Sequence, residues 1–258
     1  MTARVFAVTN QKGGVGKTTT AINLSASLAL DGHRCLLVDF DPQGNASTGL
    51  GCQSRVPSCY DAVMTTCDAS EAIQPTALDG LDLMPGSSDL AGLDTFLAGQ
   101  RDRLTRLRDA LKSVHAAYDV VLVDCPPTLG LLTVNALVAA DRVLVPLQSE
   151  FFALEGVSQL LLTVREIRRS ANVSLRIDGL VLTMFDARNR LSRAVEEDAR
   201  GTLGDLVYDT VIPRNVRLSE APSHGLPVTS YDAGSRGAQA YRALAHEFAD
   251  RNELRGRT

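Results

Sequence analysis

One short stretch constrains this chain more than any other: Lys12-Gly13-Gly14-Val15-Gly16-Lys17-Thr18-Thr19. It follows an apolar, β-rich run, Val5–Thr9, and opens a helical pattern, Thr18–Leu30, which Asp31-Gly32 can close. A strand, a glycine-rich turn and a helix, in that order, aim successive backbone N–H groups at one anion. Glycine at 13, 14 and 16 permits the tight path and the close approach to phosphate. Lys17 is placed for the β- and γ-phosphates of a nucleotide, the Thr18 hydroxyl for Mg²⁺, and Thr19 for the α-phosphate. Lys12 is left over. One nucleotide in one subunit needs only the second lysine.

The rest of the chain repeats the alternation. Cys35–Asp39, Leu81–Met84, Val120–Val123, Val143–Pro146, Ile177–Thr183 and Val207–Ile212 read as strands. Arg101–Ala116, Leu131–Ala139, Leu154–Arg168 and Ala238–Arg251 read as helices. This predicts an α/β fold: a mostly parallel twisted sheet flanked by helices on both faces. Residues 1–258 are expected to form a single domain, with 52–80 an irregular excursion from its core. A length of 258 residues, 45% hydrophobic and 22% charged, suits that size of core.

Composition also excludes several functions. No apolar run approaches the ~20 residues of a membrane span. The N-terminus carries no signal-peptide pattern, so a cytoplasmic location is expected. The five cysteines, at 35, 52, 59, 67 and 125, form no CxxC pair, which argues against a disulfide framework or a zinc site. A net charge of -4 gives no whole-molecule attraction to nucleic acid or anionic lipid. Binding of that kind requires a local basic patch.

Two aspartates complete the expected site. Val120-Val121-Leu122-Val123-Asp124 is an apolar strand ending in a carboxylate, the Walker-B pattern, so Asp124 is expected to hold the magnesium through water. Asp41 follows the second strand, in Asp39-Phe40-Asp41-Pro42-Gln43. Strand ends of a parallel sheet deliver side chains to one edge. Asp41 is therefore expected near the γ-phosphate, to position or activate the attacking water. Asp39, nearer the strand interior, is the competing candidate, with a structural or indirect metal role.

These segments resemble the ParA/Soj family of partition ATPases, in the deviant-Walker, MinD-like P-loop class. The resemblance runs through Asn10–Thr20, Asp39–Asn45, Asp124-Cys125-Pro126-Pro127 and Val211–Pro222, and covers nearly the whole chain. It implies an ATPase in which ATP drives two subunits into a face-to-face homodimer. Lys12 then reaches the phosphates bound by the other subunit, and Gly13 keeps the facing loops clear of each other. Pro213 and Asn215 are implied as the adenine pocket. Arg188 and Arg217 match arginines that bind double-stranded DNA without sequence preference. A ParB/Spo0J-type partner is implied to stimulate hydrolysis and release, with Leu154–Arg168 and its neighbours as a surface for it. The implied location is the nucleoid. The cargo, whether chromosome origin or plasmid, is not readable.

Three other readings share the loop. A MinD-like membrane-surface ATPase needs an amphipathic C-terminal anchor, and Ala249–Thr258 has a poor apolar face, so no stable membrane anchoring is expected. An iron–sulfur carrier needs cysteines presented at an interface. A small-molecule ligase lacks reason for the Arg214–Pro222 match. No helix-turn-helix precedes the loop, so specific operator binding is not expected.

Overall fold

The computed structural model describes residues 3–150 and 153–254, with side chains of its longest helix described from Gly156 onward. Seven strands form one sheet: β1 Arg4–Val8, β2 Cys35–Asp39, β3 Gln74–Pro75, β4 Leu81–Met84, β5 Val120–Asp124, β6 Arg142–Gln148 and β7 Arg176–Thr183. Their order is β3-β4-β2-β5-β1-β6-β7. Every neighbouring pair is parallel except β3 and β4.

The central strands are unbroken apolar runs because helices cover both faces. Alternate residues of one strand enter opposite core layers. Val5, Ala7, Leu36, Val38, Val121 and Val123 point to one layer. Phe6, Val8, Leu37 and Leu122 point to the other, where helix Lys17–Leu30 packs beside helix Arg236–Arg251. Phe6 and Phe248 meet there at 4.5 Å between ring centroids.

The register sets the site. Val8 and Asp39 both pair with Asp124, so β1, β2 and β5 end together. The loops that follow them emerge side by side on one sheet edge. Among the described residues no helix is long and apolar enough to cross a membrane. Leu154, within helix Ala153–Ser170, and the tail 255–258 lie outside the described side chains.

Two expected elements take a different form. Arg101–Ala116 is not one helix: only Arg106–Leu111 is α-helical, followed by a 3₁₀ turn at His115–Ala117. Asn135 explains the late start. Its amide donates to Arg103 O at 2.8 Å and its carbonyl accepts from Leu107 N at 3.3 Å. Those two backbone groups would pair with each other in a continuous helix. Val207–Ile212 is not a strand either. It touches β7 through an isolated bridge, Leu180 with Val207, and through Tyr208 N and Ile212 N, which donate to Leu180 O and Leu182 O; just past both segments Phe185 bridges Pro213. Between them, the N–H groups of Asp209 and Thr210 donate to the Glu247 carboxylate at 2.7 and 2.8 Å. The side chain of Glu247 takes the hydrogen bonds that a ladder would need.

The stretch 52–80 leaves the sheet and returns as the antiparallel edge strand β3. Its short helix Cys59–Val63 starts with a capping box, Ser58 with Asp61. Cys59, Ala62, Val63, Ala69 and Ala72 are buried, so this excursion supplies part of one core layer.

β6 and β7 slip register at Val143/Leu144, with Ile177 opposite Val143 and Gly179 opposite Leu144. Asp178 is the extra residue of this bulge. Its carboxylate accepts from the Tyr208 hydroxyl and lies 3.6 Å from Arg142. Tyr208 lies against the strand there: a Cβ built on Gly179 would stand 2.5 Å from its ring and 2.8 Å from Leu206 O. Gly179→Ala is therefore expected to destabilise the fold by about 1–3 kcal/mol. A denaturant titration measures this, and an unchanged midpoint would show that Tyr208 yields freely.

Candidate active site

The loop after β1 is tied down on both sides. Asn10 Nδ2 donates to Pro146 O at 2.8 Å, while its carbonyl accepts from Lys12 N at 3.0 Å. Thr183 Oγ1, at the end of β7, donates to Val15 O at 2.8 Å. Gly14 and Gly16 adopt φ of 74° and 86°, a region that side chains disfavour. Helix Lys17–Leu30 then begins with no side-chain cap and no acidic residue in its first turn. Its leading N–H groups are left for an external acceptor, and an anion there also meets the positive end of the helix dipole.

Lys17 is buried at the helix start, its Nζ donating to Lys12 O at 3.0 Å. Burial lowers its pKa, against the pull of Asp124, Cys125 and Asp41. Three carboxylates surround the same edge. Asp39 is committed to the fold: Oδ2 accepts from Ser47 N at 2.8 Å and Ser47 Oγ at 2.6 Å, and Ser47 Oγ accepts from Gly86 N. Burial nonetheless raises its carboxyl pKa. Asp41 is buried at the turn after β2, where Oδ1 accepts from Gln43 N at 3.0 Å. Among the described residues its second oxygen has no hydrogen-bond donor.

Asp124 is fully buried, and among the described residues no donor meets either of its oxygens in good hydrogen-bond geometry, although the Thr18 hydroxyl lies close. Burial first, then Asp39 and Asp41, push its carboxyl well up, while the nearby Thr18 hydroxyl and Lys17 oppose the shift. Orphaned carboxylate oxygens beside a half-buried threonine hydroxyl suit a hard divalent cation. Among the described residues no three His, Cys, Asp or Glu side chains form a cage for a metal. Such a donor set fits magnesium, which keeps waters and takes substrate phosphate oxygens.

A cavity of about 460 Å³ opens beside the loop, lined by Gly16, Thr19, Thr183, Met184, Pro213 and Asn215 among others. That volume falls in the range of small-molecule pockets. Asn215 Oδ1 caps the short helix Val216–Glu220 through Arg217 N at 2.9 Å. Met184 holds φ of 52°, a left-handed conformation rare for a side chain and common at binding sites.

The backbone of Lys12 and Gly13 belongs to this cradle, but the Lys12 side chain does not. Lys12 Nζ pairs with Glu150 Oε2 at 3.1 Å, with both side chains nearly half exposed. A Cβ built on Gly13 meets nothing within 4 Å. Arg188 and Arg217 also lie outside the cradle. Arg188 is 92% exposed and pairs with Asp186; Arg217 is half exposed and bridges Glu220 and Asp232. The segments that carry them adjoin, with Phe185 N donating to Ile212 O and Arg214 N to Phe185 O. Sequence reasoning missed Thr183, Ser47, Met184 and Glu150. Only Thr183 left a signal, a hydroxyl at the C-terminal end of an apolar strand.

Residues 3–177 match the family model of an AAA domain. The chain is 54% identical over 256 residues to the chromosome partitioning protein ParA of Caulobacter vibrioides (strain NA1000 / CB15N), covering 98% of this chain and 96% of that protein. It is 52% identical over 248 residues to the sporulation initiation inhibitor protein Soj of Bacillus subtilis (strain 168), covering 95% and 98%. Among solved structures, cobyrinic acid a,c-diamide synthase from Mycobacterium smegmatis, with bound ATP analog and magnesium, superposes with a TM-score of 0.85. It is 37% identical, over 95% of this chain and 93% of that one.

The buried Asp124 gives a testable asymmetry. A carboxyl whose pKa is raised in the fold favours folding only while protonated, so stability is lost as pH climbs above the ordinary carboxylate range. At neutral pH the empty site therefore destabilises the protein. Asp124→Asn is expected to raise the nucleotide-free melting temperature by roughly 2–6 °C and to abolish the further rise on adding ATP with Mg²⁺. Differential scanning calorimetry at pH 7 checks both. A lower melting temperature without nucleotide would refute the account.

Proposed function

The chain belongs to the ParA/Soj family of partition ATPases, the deviant-Walker branch of the P-loop fold, and from that premise we propose that it is an ATP-hydrolysing switch for DNA partition. ATP binding joins two subunits face to face, the dimer binds double-stranded DNA without sequence preference, and hydrolysis, stimulated by a ParB-type partner, releases it. One ATPase domain spans the chain, and its place of work is the nucleoid.

The observation that carries this reading is that the Lys12 side chain is engaged outside its own cradle while Gly13 leaves open space at the loop's surface. Within one subunit, Lys12 is engaged at the surface by Glu150, and Gly13 has open space where a side chain could stand. Both residues gain a use when a second loop approaches. Lys12 then adds positive charge to phosphates bound opposite, where charge develops during phosphoryl transfer.

Within the subunit, the N–H groups of Gly13–Gly16 and the helix start hold the phosphate chain, with Lys17 on the β- and γ-phosphates and Thr19 on the α-phosphate. Thr18 and, through water, Asp124 would hold magnesium. That ion neutralises charge on the phosphate oxygens when bound. Asp41 has a carboxylate oxygen that meets no donor among the described residues, and it orients the water that attacks the γ-phosphorus. Pro213 and Asn215 line the cavity that takes the base. The likeness to a diamide synthase leaves a ligase as the second reading, but the relatives at 54% and 52% identity carry partition and sporulation names over nearly full length.

Arg188 and Arg217 lie on adjoining segments, and dimerisation doubles their number on one duplex. Avidity then links nucleotide state to DNA affinity. Each phosphate contact adds about 0.9 to the salt slope. Binding is expected with ATP and not with ADP, and Arg188→Glu with Arg217→Glu should remove most of the affinity and flatten the slope. Electrophoretic shifts at several salt concentrations measure this; an unaltered slope would exclude these two arginines.

The dimer has its own test. Gly13→Val should bind ATP normally yet stay monomeric, since a Cβ there meets nothing within 4 Å among the described residues. Asp41→Ala should dimerise with ATP and fail to turn over. Size-exclusion chromatography with ATP separates the outcomes, and an ordinary dimer from Gly13→Val would defeat the face-to-face arrangement.

A further inference from the structure

The turn that carries Asp41 is held from two sides. From the sheet side, Asp39 grips Ser47. From the surface side, it meets Arg55, a residue in the irregular stretch after the turn. Gly44 N donates to Asp41 O at 2.9 Å, and Gly44 adopts φ of 62°. Thr48 Oγ1 donates to Gly44 O at 3.0 Å. Arg55 Nη2 then donates to Thr48 Oγ1 at 2.6 Å. A Cβ built on Gly44 would stand 2.2 Å from Arg55 Nη1 and 3.0 Å from its Cζ. The guanidinium occupies the space that any other residue at position 44 would claim.

Arg55 is itself anchored. Gln74 Nε2, in β3, donates to Ser54 O at 2.9 Å, and Cys52 N donates to Ser47 O at 2.9 Å. The strap 51–55 therefore wraps the helix Asn45–Gly49 and is pinned to the sheet edge. Among the described residues no carboxylate lies within 4 Å of the Arg55 guanidinium. A planar, always-charged group with a rigid fork is usually spent on an acidic partner. Here its side-chain partner among the described residues is a hydroxyl, and its Nη1 end fills the space beside a glycine.

We propose that Arg55 is a positioning residue for hydrolysis: seated over Gly44 and bonded to Thr48, it fixes the turn that aims Asp41. This rests on the reading of Asp41 as the residue that orients the attacking water. The device acts on the geometry of one carboxylate and leaves the phosphate cradle, formed by other elements, untouched. Its signature is thus a loss of turnover without a loss of ATP affinity.

The test is a double-mutant cycle on the full chain, with single-turnover hydrolysis and ATP affinity measured side by side. Arg55→Ala should lower the hydrolysis rate roughly tenfold, the scale expected when a catalytic group is misplaced by a fraction of an ångström, and change ATP affinity less than about twofold. Low-millimolar guanidinium ion should restore part of that rate, and Arg55→Lys should fall between the two because it reaches Thr48 without covering Gly44. In an Asp41→Ala background, Arg55→Ala should cost nothing more. Should Arg55→Ala prove poorly folded by circular dichroism, Thr48→Ala carries the same comparison. Wild-type turnover in Arg55→Ala, or equal losses of rate and affinity, overturns the proposal while Asp41 keeps its role. Wild-type turnover in Asp41→Ala removes the underlying reading instead, and the proposal with it.

Discussion

Burial of charge at one sheet edge is the constraint on which this molecule is built. Parallel strands end together there, so Asp39, Asp41, Asp124 and Lys17 come off neighbouring strands and loops into a space with little water. Isolated buried charges are costly, and each group is satisfied to a different degree. Asp39 is quieted by Ser47 and becomes part of the fold. Lys17 leans on a loop carbonyl. Asp124, fully buried and with neither oxygen meeting a hydrogen-bond donor in good geometry among the described residues, is the least satisfied, and burial pushes its carboxyl pKa up. The order of satisfaction separates what is architectural from what waits for a ligand.

The phosphate loop inherits its precision from the opposite half of the sheet. Asn10 fastens its start to β6 and Thr183 fastens its middle to β7. β7 runs directly into Met184, Phe185 and the contacts that set Pro213 and Asn215. The phosphate cradle and the cavity beside it are thus joined through one strand end, and a shift of either is felt by the other.

Much of this was legible in the chain. Cys35–Asp39 and Leu81–Met84 take the bounds that their apolar pattern predicts, because helices cover both faces of the sheet and nothing competes for the backbone of those strands, and the helix Leu131–Ala139 takes its predicted bounds too. The glycine spacing of the loop was equally legible, since a positive φ leaves few alternatives. What failed did so through partners distant in sequence. Asn135 cuts into Arg101–Ala116, and Glu247 takes the N–H groups of Asp209 and Thr210. Local periodicity cannot register a side chain arriving from about thirty residues away. Ser47 and Arg55 were invisible for the same reason: one serine in a five-residue helix and one arginine in a loop carry no pattern.

The carboxylate of Glu247 has a consequence beyond the shape of one segment. Residues 207–213 lie along β7, where an eighth strand would belong, but two of their backbone donors already face Glu247. No further chain can zip onto that side with a regular ladder. At the other border, β3 is two residues long and one of them is Pro75, which has no N–H to offer. Both rims of the sheet are blunted by short, irregular pieces. Copies of this protein are thereby kept from joining edge to edge, the first step toward aggregation.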